Sequence, residues 1–351
     1  MLLRNIMKKA DNQKDELNEE KKLSGFMPVL LAILGNFAVT ILKFIAFILS
    51  GSGVMFSEAV HSFADTANQS LIMIGLRRST KKSNDDFDYG FGMERFFWAL
   101  ISACGIFFIG AGVTIASGVR SLFEHHELEI GVFSFVVLGI SFVVESITFG
   151  AAVRELLKLN PDKKFGKILK NGDPTTIAVF YEDGVALLGI IIALLSIILT
   201  KTTGYVFWDA VGSIIIGILL GFVAIVLINK NRQFLLGKSL PEKMEKKIIK
   251  IIEADPAIEK VFDFKSKILD INKYIIKCEV EFNSPALIRE AFRNGLADEY
   301  EMVKESQEEF MKFCVDHTDR VPRLIGKRID EIERKIQIAF PDIKYIDIEI
   351  N

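Results

Sequence analysis

Hydrophobic residues in this chain form six long stretches, separated by charged segments. The stretches cover about residues 27–49, 55–76, 96–118, 132–153, 175–199 and 207–229. Each is close to the ~20 residues that an α-helix needs to cross the hydrocarbon core of a bilayer. No seventh span is expected, because the sequence becomes charged after Asn229. The pattern therefore predicts six membrane-spanning helices.

Beyond residue 230 the pattern changes to short amphipathic segments. It predicts helices over Leu240–Ala254 and Arg323–Phe340, and strands over Ile258–Ile271, Tyr274–Phe282 and Ile343–Ile350. The order helix–strand–strand–helix–strand predicts a small ferredoxin-like α+β domain, with helices on one face of a three-stranded sheet.

These patterns divide the chain into three parts. Residues 1–25 are polar and of mixed charge, without the apolar core of a signal peptide or the arginine-rich character of a transit peptide, so we expect a flexible cytoplasmic tail. Residues 26–230 form the six-helix transmembrane domain, and residues 231–351 form the cytoplasmic α+β domain. Within the latter, a charged, helix-prone insertion at 283–321 predicts a solvated helical excursion.

Lysine and arginine are concentrated in the N-terminal tail and in the loops after the second and fourth spans. The loops after the third and fifth spans contain few basic residues. By the positive-inside rule, both termini are cytoplasmic. The mixed-charge N-terminus favours a multi-pass protein of the cell membrane over a mitochondrial one.

Composition supports this interpretation. Half of the 351 residues are hydrophobic and the mean hydropathy is +0.32, which suits a membrane protein with a soluble part. The net charge of −2 gives no indication of a nucleic-acid partner. Cys104, Cys278 and Cys314 lack metal-finger spacing and are interpreted as reduced packing residues. The chain has no HExxH, P-loop or GxSxG motif, so nothing indicates a metalloprotease, an ATP-driven pump or a serine hydrolase.

The second span carries four polar residues, Glu58, His61, Asp65 and Asn68, at spacings that place them on one stripe of a helix. A charged residue at the centre of a membrane helix costs about 2.5–3.5 kcal/mol on insertion scales, so such residues usually serve a substrate or ion path. The side chains of His61 and Asp65, which can both bind a metal, also lie on the same face of the helix one turn apart. The alternative is a polar seam between packed helices.

Other spans contribute further ionisable residues. Lys43 in the first span can pair with a carboxylate on a neighbouring helix or snorkel to the interface. Glu145 lies in the fourth span, and Glu182 and Asp183 lie in the fifth, where adjacent side chains diverge by about 100°. Imidazole and carboxylates bind metal only when deprotonated, so metal and protons compete for them. The predicted metal ligands are His61, Asp65, Asp183, Glu182 and Glu145, with no catalytic residues.

Residues outside the spans are weaker candidates. The outer-loop pair His125 and His126 could meet a metal at the exit, but such pairs are more often solvated. His317 is expected to be structural or exposed. Asp85, Asp86 and Asp88 are interpreted as ordinary loop chemistry or a weak accessory site.

Several of these features resemble the cation diffusion facilitator family of zinc transporters. They are the His61–Asp65 pair, six spans with a C-terminal α+β domain, Ser50-Gly51-Ser52, the run Tyr89–Glu94, and Asp183 with Gly189. The run SGSGVMFSEAVHSFADTANQ, the Glu182–Asp183 pair and the C-terminal insertion are most similar to the mitochondrial zinc transporter nine branch and its prokaryotic relatives.

The resemblance implies a homodimeric antiporter that exports cytoplasmic Zn²⁺ in exchange for protons, with Zn²⁺ as the transported ion rather than a cofactor. It implies a site shared by spans two and five, in which His61, Asp65 and Asp183 match the family's ligands. The family's remaining span-five ligand falls at Val179, which cannot coordinate a metal, so Glu182 or Glu145 would take its place.

Three alternatives remain open from the sequence. An oxygen-rich ligand set favours Mn²⁺ or Fe²⁺ efflux by the same proton-coupled mechanism. An intramembrane metalloenzyme would need an open coordination position, a general base and a substrate groove. A structural scaffold would leave the cost of Asp65 and Asp183 in a bilayer unexplained.

Overall fold

The computed structural model describes residues 33–123, 131–158, 174–291, 297–304 and 306–351. The predicted N-terminal tail, 1–25, lies outside them. The chain divides into two compact units. The first comprises the described residues up to Arg78 together with Glu94–Arg232, and the second comprises Ser79–Met93 and Gln233–Asn351. Each unit has its own apolar core.

The first unit is a six-helix bundle. Its helices are α1 (Ile33–Ser50), α2 (Gly53–Ser79), α3 (Glu94–Phe123), α4 (Val132–Lys158), α5 (Pro174–Thr203) and α6 (Phe207–Leu235). Among the described helices, all of these except α2 are both long and apolar enough to cross a membrane. The 27 residues of α2 are also enough to span, but its polar stripe lowers its hydropathy. Val54 and Met55 of α2 lie in the same core as residues of the other five helices.

Helix α3 changes its winding midway. It is α-helical over Glu94–Gly105, π-helical over Ile106–Val113 and α-helical again over Thr114–Phe123. A π-helical turn holds one more residue than an α-helical turn. The residues beyond it are therefore turned by about 100° relative to their positions in a continuous α-helix of the same sequence. The side chain of Ser102 meets α2, whereas Gly118 lies so close to α6 that a Cβ there would be 2.8 Å from Ile214.

The second unit contains a three-stranded sheet in the order β1 (Ile258–Asp270), β2 (Lys273–Phe282) and β3 (Ile343–Ile350). β2 is central, antiparallel to β1 and parallel to β3. The predicted alternation in β2 is observed, since Ile276, Cys278 and Val280 are fully buried. Helix α7 (Glu242–Glu253) and the C-terminal half of a long helix pack their isoleucines against these strands. The expected fold class is confirmed.

The 283–321 insertion is helical where it is described. It contains α8 (Ser284–Ala291), α9 (Ala297–Val303) and the start of α10 (Gln307–Ala339). The prediction that this last helix begins at Arg323 was wrong. It begins sixteen residues earlier and continues through Pro322. The side chain of Ser306 accepts a hydrogen bond from the Glu309 amide and caps the true start, and two glutamates in the first turn favour the helix dipole.

The segment Ser79–Met93, between α2 and α3, packs within the second unit. The Tyr89 ring lies edge-on to the Tyr345 ring of β3, with centroids 4.9 Å apart. Gly92 approaches the end of β1 so closely that a Cβ would lie 2.6 Å from that of Asp270. The second glycine of the Tyr-Gly-Phe-Gly motif, Gly92, therefore allows a close backbone approach that a side chain at that position would block.

Candidate metal-binding site

The polar stripe of α2 points into the helix bundle. The side chain of Glu58 is fully buried, His61 and Asn68 are 4% and 5% exposed, and the Asp65 side chain is 17% exposed. Burial is most complete in the N-terminal half of α2, where nearly every residue from Gly53 to Ser62 is buried. Of the four stripe residues, Asp65 is therefore the one whose side chain is partly exposed.

His61 and Asp65, two of the predicted ligands, lie side by side on α2. His61 Nε2 lies 3.3 Å from Asp65 Oδ2, one helical turn away. Among the described residues, neither ring nitrogen of His61 has a hydrogen-bond partner. A buried imidazole without such a partner is unusual, because buried polar groups are nearly always satisfied. Its lone pair is therefore available to a cation.

Asn68 organises the C-terminal end of the stripe. Its amide nitrogen donates to Glu182 Oε1 of α5 at 2.6 Å, and its amide oxygen accepts from Ser102 Oγ of α3 at 2.7 Å. Asn68 thus joins α2 to two other helices and orients the Glu182 carboxylate. The stripe in the sequence included Asn68, but only the fold identifies its partners.

The remaining predicted ligands lie on α4 and α5. Glu145 and Asp65 line the same small cavity. Asp183 follows Glu182 on α5 and is partly buried. In the part of the chain that the structure describes, no three His, Cys, Asp or Glu side chains are close enough to hold a metal ion together. Asp65 lies beside His61 and borders the same cavity as Glu145, but the five predicted ligands do not come together around one point.

Val179 lies in α5, but its side chain is outside the described residues. Whether Glu182 or Glu145 replaces the ligand missing at that position stays a prediction. Glu182 is engaged with Asn68, whereas Glu145 faces the cavity beside Asp65. The two candidates thus differ in the contacts that they would have to release before binding a metal.

A buried ion pair lies one turn before His61. Lys43 Nζ of α1 donates to Glu58 Oε2 at 2.9 Å, and both side chains are fully buried. Of the two outcomes considered for Lys43, pairing is the one observed. The other oxygen, Glu58 Oε1, has no hydrogen-bond partner among the described residues and faces Gly189 of α5. A Cβ at Gly189 would lie 2.8 Å from that oxygen, so glycine leaves the room that Glu58 occupies.

The start of α2 is held by α6. The buried carboxylate of Asp209 accepts hydrogen bonds from the Ser52 hydroxyl and from the Gly53 amide, the latter at 2.6 Å. The hydroxyls of Ser57 and Ser213 bond to each other just beyond. A carboxylate at this position satisfies free amides and opposes the positive end of the helix dipole. Sequence reasoning missed this role, since the partners are more than 150 residues apart.

The weaker candidates of the sequence differ in their surroundings. His125 and His126 lie outside the described residues. Asp85, Asp86 and Asp88 are exposed. His317 is half-buried and stacks on Phe313 with ring centroids 5.9 Å apart. The buried thiol of Cys278 has a pKa raised to about 12, chiefly by desolvation, which fits a packing role.

Comparisons with known proteins agree with this architecture. Residues 29–236 match the cation efflux transmembrane domain family. The chain is 33% identical over 330 residues to metal tolerance protein C4 of Arabidopsis thaliana, covering 92% of this chain and 72% of that protein. It is equally similar over the same length to the human mitochondrial proton-coupled zinc antiporter SLC30A9, of which it spans 58%. An uncharacterized transporter of Methanocaldococcus jannaschii is 24% identical over 220 residues.

The family match covers more than half of the chain, and the plant relative extends it through the C-terminal domain. The interpretations as a metalloenzyme or a scaffold are thereby excluded. The chain belongs to the cation efflux family, and it is a membrane transporter of metal cations, not an enzyme.

Proposed function

We propose that this protein is a Zn²⁺/H⁺ antiporter that exports zinc from the cytoplasm. The observation that carries the proposal is the His61 imidazole, which lies inside the bundle beside Asp65 with neither nitrogen hydrogen-bonded among the described residues. Nitrogen and oxygen donors together suit Zn²⁺. The printed name of the human relative, a proton-coupled zinc antiporter, supports the same ion and coupling.

The coupling follows from the chemistry of the ligands. His61 and Asp65 bind a cation only when they are deprotonated, so a site that holds zinc cannot also hold protons. Zinc entering from the cytoplasm displaces protons, and protons entering from the opposite side displace zinc. A third and fourth ligand come from Asp183 and from Glu182 or Glu145, after the helices adjust around α2.

The direction of transport is part of the proposal. Within the stripe, Glu58 and His61 on the N-terminal side are buried, while the Asp65 side chain is partly exposed. With the basic loops in the cytoplasm, this arrangement corresponds to a site that loads from the cytoplasmic side. We place the protein in the cell membrane with both termini cytoplasmic, and we propose a homodimer, which light scattering of the detergent-purified protein can test.

The test is ⁶⁵Zn uptake into inverted membrane vesicles with an acidic interior. Wild type should take up zinc and release protons, and both signals should disappear when the proton gradient is collapsed. Asp65→Asn, which keeps the size but removes the charge, should reduce uptake to background. Asp88→Asn, an equivalent change on an exposed loop, is the matched control. Equal uptake by wild type and Asp65→Asn would sink the proposal.

A second candidate is efflux of Mn²⁺ or Fe²⁺ by the same mechanism. The observation in its favour is that His61 is the one nitrogen donor in the predicted set, the other four being carboxylates. Harder cations prefer oxygen ligands. The vesicle assay run with Zn²⁺, Mn²⁺ and Fe²⁺ at equal free concentrations separates the two candidates.

A further inference from the structure

A small cavity between α1, α2 and α4 is bordered by Asp65 and Glu145 and by three further polar residues that the proposed zinc site does not use. Its polar lining comprises Asn36, Ser62, Asp65, Ser141 and Glu145. Its free volume is about 10 Å³, which is room for one water molecule or one dehydrated ion. The cavity therefore brings two carboxylates, two hydroxyls and an amide around a single small space.

Ser141 distinguishes this cavity from an incidental packing gap. It is 1% exposed, and its hydroxyl oxygen has no hydrogen-bond partner among the described residues. Serines in membrane helices commonly donate to a carbonyl of their own helix, as Ser146 does to Phe142 at 2.6 Å on the same α4. The Ser141 oxygen is instead left to whatever fills the cavity.

The charge balance favours a cation over a water molecule. Glu145 has no salt bridge among the described residues, and Asp65 has His61 as its basic neighbour. Two carboxylates bordering one small space in a membrane bundle are costly without compensation. A water can donate hydrogen bonds to them but carries no charge, whereas a divalent cation, in competition with protons, compensates both carboxylates.

The donor atoms indicate which cation. Every polar group of the lining can offer oxygen, and Asn36 does so through its side-chain carbonyl. Oxygen-only sites suit hard cations such as Mn²⁺, Mg²⁺ and Ca²⁺, in contrast to the His61 side of Asp65. We propose that Asn36, Ser62, Asp65, Ser141 and Glu145 form a second, oxygen-only subsite that binds a hard divalent cation and shares Asp65 with the zinc site.

The inference rests on the proposed function, because the two subsites share a ligand. Asp65 would be the point at which an ion passes from one side of α2 to the other. Zn²⁺ would prefer the side with the imidazole, and Mn²⁺ the side with Ser141. Two ions of different hardness would thus compete at Asp65 without having the same ligand set.

The test is equilibrium binding of Mn²⁺ and Zn²⁺ to the purified full-length protein, with Mn²⁺ followed by electron paramagnetic resonance. Ser141→Ala should weaken Mn²⁺ binding about tenfold and change the Zn²⁺ affinity less than twofold. His61→Ala should do the reverse. Ser146→Ala, which removes a hydroxyl already bonded within α4, should change neither.

Two other outcomes would contradict the proposed subsite. If Ser141→Ala binds Mn²⁺ as wild type does, the cavity holds water and the subsite does not exist. If Ser141→Ala weakens both metals equally, the hydroxyl is structural, and the inference fails as well. The binding measurement does not depend on transport, so it can be interpreted even if the vesicle assay shows no zinc antiport. Conversely, the absence of a Mn²⁺ subsite would not contradict zinc antiport.

Discussion

The Lys43–Glu58 pair permits a quantitative test of how charge is held inside this bundle. The two charged atoms are 2.9 Å apart and fully buried. With an effective dielectric constant of about 20, two unit charges at that distance attract by about 6 kcal/mol. Desolvation of both ions opposes this attraction, so the net contribution of the pair is small. Removing one partner, however, leaves an uncompensated charge and costs about 3–5 kcal/mol.

The corresponding experiment is a double-mutant cycle. Lys43→Met and Glu58→Gln keep the approximate shape of each side chain and remove its charge. Each single variant should lose about 3–5 kcal/mol of unfolding free energy, and the double variant should recover at least ~2 kcal/mol of the summed loss. Unfolding of the purified protein by sodium dodecyl sulfate, followed by tryptophan fluorescence, measures these differences.

The exposed pair Lys246–Glu242 on α7 is the control for this cycle. Its side chains are 68% and 78% exposed, so the same neutralising cycle there should show a coupling of about 0.5 kcal/mol or less. If the Lys43 and Glu58 losses are simply additive, the two charges do not compensate each other in the folded protein. The interpretation of the buried pair as mutually compensating charges would then be refuted.

Three further predictions concern other contacts. Asp209→Ala removes the cap at the start of α2 and should lower stability by about 1–2 kcal/mol, measured by thermal unfolding, while Asp209→Asn should lose less. Gly92→Ala places a Cβ against the Leu269 carbonyl and should destabilise the C-terminal unit by about 1–3 kcal/mol in hydrogen exchange, whereas Gly326→Ala, in open space on a helix, should not destabilise it. Cys278, with its pKa raised to about 12, should resist maleimide at pH 8 until the protein unfolds, because only about 1 in 10⁴ of such thiols is ionised.

These predictions have clear contrary outcomes. An unchanged melting temperature in Asp209→Ala would mean that water replaces the carboxylate at the α2 amides. Equal exchange in Gly92→Ala and wild type would show that the backbone at the end of β1 shifts without cost. Rapid labelling of native Cys278 would show that the central strand opens frequently.

The sequence predicted the features that depend on the spacing of hydrophobic residues along one element, or on the free-energy cost of burying a charged side chain. The α2 stripe was found because charged residues in an apolar helix are expensive, and β2 was found from alternation. Helix α10 was misplaced at its start because the helix-prone insertion before Arg323 was interpreted as a separate excursion, whereas one helix runs from its cap at Ser306 through Pro322. Nothing local marks Asp209 as the partner of Gly53.

Only part of the candidate site could be predicted from the sequence. His61 and Asp65 lie on one helix, so their spacing alone predicted their proximity. The positions of Glu145, Glu182 and Asp183 relative to them depend on how α4 and α5 pack against α2, which no sequence period encodes. Ser141 was not singled out, because a serine in an apolar span is ordinary until its missing hydrogen bond and the neighbouring carboxylates are known.

The π-helical segment in α3 bears on how this helix tolerates insertions and deletions. Deleting one residue within Ile106–Val113 could rewind that segment to a regular α-helix without shortening the number of turns appreciably. The part beyond it would then keep its present direction, and Gly118 would stay against Ile214 of α6. The same deletion in a regular α-helical part of α3 would instead turn the remainder of the helix by about 100°. This segment can thus absorb a one-residue change in length that would disrupt the contact with α6 if it occurred elsewhere in the helix.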